Sequence, residues 1–247
     1  YYLSLIQMVK YVVPSYKRPY IFRDNTLAFL FKHGVKTEDI YVFVRDDDPL
    51  QDYYLKSCNI IKCSEKGIGR THNYITEYFD EDEFIVEIDD DLQELYDNER
   101  KPVEDFISIV EDMKSRMTEE GISYGGTYQV NNPMFMSGCQ HYTTDLRYLL
   151  GCVRFRFVRK DIVLETNYAE DFENAILHFL RDGKILKNNF IAPKTKNYQD
   201  GGCKDDGRDI DTEKIDKEFL ANKYPELATI FQRKNGHYDL RLKKRKC

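Results

Sequence analysis

The chain has 247 residues, 41% hydrophobic and 32% charged, with 37 Lys and Arg against 43 Asp and Glu and a formal net charge of -6 at pH 7. This is the balance of a globular protein able to bury a substantial core, best read as one large α/β domain. It excludes a protein that coats nucleic acid by charge alone, because neutralising phosphates needs clustered cations.

No apolar run approaches the ~20 residues that span a bilayer, so no membrane partner is expected. The six cysteines (Cys58, Cys63, Cys139, Cys152, Cys203 and Cys247) show neither C-x-x-C pairs nor zinc spacing, and reduced thiols in a cytoplasmic protein are expected. Residues 1–7 lack the features of a secretory signal; Met8 is expected to be the natural start, with a remnant ahead of it. Lys10 to Pro14 reads as a first strand stopped by proline, and Ser15 to Pro19 as a loop, since each proline biases the residue before it away from helix. Asp24 is expected to cap a helix that runs to about His33 and ends at Gly34. Ile40 to Val44 is a second strand and runs into Asp46, Asp47 and Asp48. A short helix near Asp52 to Lys56 and a small strand Ile60 to Cys63 lead to the loop Gly67-Ile68-Gly69-Arg70, which opens a helix from about Thr71 to Phe79. Phe84 to Ile88 is apolar, of strand length, and passes without a turn into Asp89, Asp90 and Asp91. This βαβ alternation with short links predicts an α/β fold, a mostly parallel central sheet with helices on both faces.

Beyond Asp91, a polar segment precedes an amphipathic helix from about Val103 to Glu120 and a strand Ile122 to Thr127. The irregular stretch Tyr128 to Thr144, with its exposed aromatics and methionines, is expected over a pocket, and Tyr142 and Tyr148 read as packing residues. Gly151 to Val158 is a further strand, in which Arg154 and Arg156, followed by Arg159 and Lys160, alternate as on a solvated edge. A helix from Asp171 to Leu180 closes at Gly183. From Asn188 onward the chain is polar and poorly periodic, apart from a helix at Lys214 to Tyr224 and a basic tail, Arg241 to Lys246. The glycine-rich loop Asp200 to Arg208 is expected to be a lid, with Lys204 or Arg208 reaching a bound diphosphate.

The acidic strand ends, the glycine loop and Glu170-Asp171 all fall at the ends of successive elements, and such ends converge at one edge of a parallel sheet. Asp89 and Asp91 share one side of an extended chain while Asp90 faces the other, and two carboxylates on a short tether suit a hard divalent cation. Taken singly, an acidic triplet is a solvated turn and an acid at a helix start is a cap. The ordered set favours catalysis, with a carboxylate in reach of an acceptor hydroxyl to take its proton.

Val12 to Pro19 (VVPSYKRP), Gly67 to Asn73 (GIGRTHN), Asp89 to Asp91 and Glu170 to Glu173 (EDFE) lie in that order within about residues 10 to 185. They resemble the strand-PsYnR opening, the Gly-x-x-x-Ala-Arg-Asn helix start, the DxD motif and the ED helix start of inverting family-2 glycosyltransferases of the Rossmann-like GT-A fold. The resemblance implies metal-dependent sugar transfer, with Mn or Mg, from a nucleotide sugar, a UDP-sugar first, to a hydroxyl. It implies a donor pocket lined by Pro14, Ser15, Tyr16 and Arg18, with Tyr16 and Asp46 against the base and Arg70 near base and phosphates. Asp89 would lie near the ribose with Asp90 beside it, Asp91 and Asp89 would hold the metal, and Asp171 would be the catalytic base, oriented by Glu170. Residues 8–95 would form the nucleotide-sugar half and 96–247 the acceptor half of a single domain.

The same segments are similar to the TET-associated glycosyltransferases, phage and eukaryotic relatives implicated in modifying hydroxymethylated pyrimidines in DNA. That resemblance implies a DNA partner with its target base flipped from the stack and contacted by Tyr128, Arg154 and Arg156. The alternatives are the same chemistry on a glycan or protein hydroxyl, or a nucleotide-sugar-binding module without turnover.

Overall fold

The computed structural model describes residues 9–195, 201–234 and 236–243; the expectations for residues 1–7, for Asp200 and for the tail beyond Lys243 lie outside them. β1 (Lys10–Ser15) runs through Pro14 rather than stopping there. Its ladder with β4 ends at Val12, so the N–H that proline lacks is not needed on that side. The first helix begins at Pro19, not Asp24: α1 (Pro19–Phe22), a π-helical stretch Arg23–Leu27 and α2 (Ala28–Lys32) run on as one helical segment. Proline suits a first turn, where its N–H would be unpaired anyway, and Asp24 instead pairs with its neighbour Arg23 on the surface.

β2 (Ile40–Arg45) and β3 (Asn59–Cys63) follow, joined by no more than a 3-10 turn at Gln51–Tyr53 where a short helix was expected. α3 (Ile68–Tyr78) leads into β4 (Phe84–Ile88), and the polar segment after it is a strand, β5 (Leu92–Asp97). α4 (Phe106–Glu120), capped by Asp105, and β6 (Tyr124–Thr127) precede the irregular stretch, which holds the single turn α5 (Pro133–Met136) and β7 (Tyr142–Thr143). After β8 (Val153–Phe157) and α6 (Glu170–Asp182) come β9 (Leu186–Asn188), β10 (Ile191–Thr195), α7 (Ile210–Lys223) and the hairpin β11 (Ala228–Gln232) with β12 (Tyr238–Leu242). The last third is therefore more regular than its sequence suggests. β10 pairs with β5 apart from the main sheet, and β11 with β12; Tyr238, Leu240 and Leu242 of β12 alternate with Asp239 and Arg241, a strand pattern hidden beside the basic tail.

The central sheet has eight strands in the order β3-β2-β1-β4-β8-β6-β9-β7. β3, β2, β1 and β4 are parallel; β8 is antiparallel to both β4 and β6, and β9 is parallel to β6. Helices cover both faces. On one, α2 and α4 bury Phe29, Leu30, Phe106 and Met113 against Val13, Val86 and Phe155 in the largest hydrophobic cluster. On the other, α3 packs over Val12, Phe43 and Ile85, and α6 with α7 builds a separate cluster around Tyr124. Glu87, Arg154 and Arg156 alternate onto this second face and are buried. β8 is hydrogen-bonded on both sides, so Arg154 (2% exposed) and Arg156 (5%) sit on an interior strand, and the expected solvated edge is corrected. Among the described residues no helix is long and apolar enough to cross a membrane.

Candidate functional site

The carboxyl ends of β1, β2, β3 and β4 open on a cavity of about 680 Å³, a size that takes a nucleotide-sugar-like ligand. Antiparallel β8 brings its beginning to the same edge, since Ile88 is in register with Val153. Pro14, Ser15, Tyr16 and Arg18 line the cavity from the end of β1; Asp89, Asp90 and Asp91 line it from the end of β4. Arg154 contributes from β8, Glu170 and Asp171 from the first turn of α6, and Lys204 and Arg208 from the loop before α7.

The middle acid ties two of these segments together. Asp90 is buried, with Oδ2 accepting from Ser15 Oγ at 2.6 Å and Oδ1 from Arg18 Nη1 at 3.2 Å. A second buried acid, Asp48, accepts from the Lys17 N–H at 2.6 Å and the Leu50 N–H at 2.7 Å, which holds the 16–18 turn with Lys17 in the left-handed region at φ 59°.

Asp89 and Asp91 are left to the cavity. Burial, reinforced by Asp91 and Asp171, raises Asp89 well above the carboxylate range; burial and then Asp90 push Asp91 to about 6. Crowded hard oxygen donors facing a cavity fit a hard divalent cation. Among the described residues no group of three or more His, Cys, Asp or Glu is arranged to hold a metal alone, so these two carboxylates fit a cation whose remaining ligands come from a bound ligand.

At the end of β2 it is Arg45, not Asp46, that reaches the cavity. Its guanidinium lies 4.0 Å from the Tyr16 ring centroid and is held by Asp47 and Asp206. Asp206 also accepts from the Gly67 N–H at 2.7 Å. Asp46 is exposed, off the cavity lining, its own N–H given to the Cys63 carbonyl. Arg70 is likewise exposed and off the lining: α3 starts at Ile68, and Ile68 and Thr71, one turn apart, take the inward positions. The two glycines before Arg70 serve close packing. A Cβ on Gly69 would lie 1.9 Å from the Thr166 carbonyl oxygen, and one on Gly67 2.3 Å from Asn167 Oδ1. α3 is thereby seated on the segment that leads into α6.

Asp171 does not cap α6, whose N-cap is Ala169. Its Oδ1 accepts from Arg154 Nη2 at 2.6 Å and its Oδ2 from the Tyr148 hydroxyl at 3.1 Å, so Tyr148 does more than pack. Burial, then the adjacent Asp171, raises Glu170, against the pull of Arg154, whose Nη2 lies 3.7 Å from Glu170 Oε1. Beneath Asp171, Arg154 Nη1 donates to His72 Nε2 at 2.5 Å, and His72 Nδ1 lies 3.0 Å from Glu87 Oε2. Arg156 pairs with the other Glu87 oxygen and donates to Thr76 Oγ1 at 2.9 Å. Burial and then Arg154 lower the His72 pKa, so His72 is neutral; Glu87, in spite of its burial, is held far below the carboxylate range by Arg156, His72 and Arg154.

Arg154 and Arg156 are thus committed to buried ion pairs, and the expected DNA-facing strand does not hold. Tyr128, unlike Arg154, is off the cavity lining: its hydroxyl donates to the Phe135 carbonyl at 3.1 Å and Lys187 Nζ lies 4.6 Å from its ring centroid.

No protein-family model and no curated protein matches the chain. Solved structures do. Over 87% of its length the chain matches S. aureus TarS 1-349 in complex with UDP-GlcNAc at TM-score 0.52 and 14% identity, and it spans 66% of that chain. It matches M. tuberculosis glucosyl-3-phosphoglycerate synthase, in complex with Mn2+, UDP-glucose and phosphoglyceric acid, at TM-score 0.54 and 12% identity, over 91% of this chain and 84% of that one. This is the GT-A glycosyltransferase fold. At such identities the likeness speaks for the fold alone. A further GT-A match, the same synthase with Mg2+ and UDP, has TM-score 0.51 and 12% identity over 96% of this chain and 88% of that one.

Proposed function

We propose that the protein is a cation-dependent, inverting glycosyltransferase that moves a sugar from a UDP-sugar to a hydroxyl acceptor. The observation that carries this reading is the meeting of Asp89, Asp91, Arg18 and Asp171 in one cavity at the carboxyl edge of a GT-A sheet. Asp91 with Asp89 would hold Mg2+ or Mn2+, which supplies positive charge against a departing diphosphate. Arg18, Lys204 and Arg208 line the same cavity and add fixed positive charge for that leaving group. Asp171 takes the proton of the acceptor hydroxyl. The acceptor oxygen bonds to the anomeric carbon while the bond to the diphosphate breaks, and the diphosphate leaves with the electron pair. One displacement of this kind inverts the anomeric centre. Glu170, its pKa raised by burial, lines the same cavity beside Asp171.

The acceptor classes are a hydroxymethylpyrimidine in DNA, a glycan and a protein hydroxyl. Burial of Arg154 and Arg156 removes the main argument for DNA. The test is UDP release and product formation from a panel of UDP-sugars with Mn2+ or Mg2+, offered modified DNA, plain DNA, glycans and peptides. Transfer to one acceptor class, lost in Asp91→Asn and Asp171→Asn, is the expected result. Metal-dependent UDP binding without turnover on any acceptor would make the protein a nucleotide-sugar-binding module instead.

A further inference from the structure

Arg154 joins the cavity to the interior of the sheet by a cluster of hydrogen bonds. Glu87 Oε2 is 3.0 Å from His72 Nδ1, His72 Nε2 accepts from Arg154 Nη1 at 2.5 Å, and Arg154 Nη2 donates to Asp171 Oδ1 at 2.6 Å. A guanidinium donates only, so His72 Nε2 must offer its lone pair and Nδ1 must carry the proton that goes to Glu87. Nη1 also lies 3.2 Å from His72 Nδ1 and donates to Glu87 Oε2 at 3.4 Å, so the guanidinium is fixed from below by both residues. Gly151, at the entry to β8, supplies an independent observation. A Cβ there would lie 2.0 Å from Arg154 Nη2 and 2.2 Å from Asp171 Oδ1. Its backbone is outside the left-handed region, so what the position requires is space for this ion pair.

We propose that Arg154 is a positioning residue for the reaction. Anchored by His72 and Glu87, it holds Asp171 by Oδ1 and leaves Oδ2, bonded by the Tyr148 hydroxyl, as the oxygen that meets the acceptor. This rests on the glycosyltransferase reading above. Orientation of this kind acts on the chemical step: a misplaced base lowers turnover while ground-state binding of the donor is untouched. Arg154 stands on β8, with β4 between it and the ends of β1 and β2 that carry Tyr16 and Arg45; because its charge also offsets the burial of Asp89, the charge-keeping Arg154→Lys and Gly151→Ala are the variants in which donor affinity should hold.

The experiment compares wild type, Arg154→Lys, Arg154→Met and Gly151→Ala in kcat, in KM for the nucleotide sugar, and in UDP affinity with Mn2+ by calorimetry. We expect kcat to fall about 10- to 100-fold in Arg154→Lys and Gly151→Ala. Donor KM and UDP affinity should stay within about threefold of wild type, and Arg154→Met should be slower than Arg154→Lys. Gly151→Ala removes no buried charge, so it carries the test if the Arg154 variants do not fold. Arg154→Lys or Gly151→Ala with wild-type kcat, or with kcat and UDP affinity lost together, would overturn the positioning role. Wild type inactive on every donor would instead overturn the functional reading, and this inference with it, before any variant is compared.

Discussion

Glu170 and Asp171 are neighbours in sequence that share Arg154 unequally: burial raises the one, whose Oε1 lies 3.7 Å from Nη2, while the other accepts from that Nη2 at 2.6 Å and from the Tyr148 phenol. Two carboxyl groups split in this way divide their roles. Glu170→Gln imitates the protonated acid and is expected to keep kcat within a few-fold at pH 7, whereas Asp171→Asn should lose about 10²- to 10⁴-fold; steady-state kinetics of the two variants checks it. Equal losses would mean that Glu170 works as an anion. At this scale the sequence was legible where a motif fixes a residue by spacing, as at Asp89, Asp91 and Asp171. It misled at Arg154 and Arg156, where alternating cations read as a solvated edge. The overlooked signal was Glu87, an acid inside an apolar strand that needs a buried partner; its registered partner across the ladder is Arg154. Arg45, Tyr148 and Asp206 carried no signal, because their places depend on contacts between segments far apart in the chain.

Between elements, the decisive contact is the seat of α3 on the segment before α6. Gly69 brings the helix against the Thr166 carbonyl oxygen, which as backbone cannot swing aside. Gly69→Ala is therefore expected to destabilise the fold by about 1–3 kcal/mol, as other overpacked sites do, and to lower kcat by shifting Glu170 and Asp171. Thermal melting and turnover of the variant test both. A normal melting temperature with normal turnover would show that the two segments can separate without consequence. The glycine pair was visible in the sequence as a loop signal, but its purpose was not, since a close approach between helix and loop leaves no local pattern. Strands β5, β9, β10 and β11 were missed for a related reason: each is held by its partner strand rather than marked by its own periodicity.

For the molecule as a whole, buried charge shapes the dependence of stability on pH. Lys187 on β9 is 2% exposed, its Nζ donating to Gln129 Oε1 at 2.7 Å and to the Tyr148 carbonyl at 3.3 Å, and burial, then Arg147, lowers it to about 8. An unfolded lysine titrates near ~10.4. Between about 8 and that value the unfolded chain binds more protons than the folded one, so this residue makes stability rise with pH, by at most ~1.4 kcal/mol per pH unit. Lys187→Met should remove the rise. Urea unfolding at pH 7.5 and 9.5 is expected to show wild type gaining on the variant by at least ~1 kcal/mol; a constant difference would mean that Lys187 is not desolvated. The parallel sheet and the place of its functional edge were legible, because strand ends carrying acids in order fix a topology; the eight-strand order was not, since antiparallel β8 breaks the βαβ rule. That reversal has a consequence of its own. β4 delivers the acid run and the Tyr148 to Cys152 turn enters β8 at the same point, so two walls of the cavity meet there from opposite directions, and the second is anchored in the core by Leu146 and Leu149. A segment whose side chains are shared between core and cavity in this way cannot be exchanged as a loop without disturbing both.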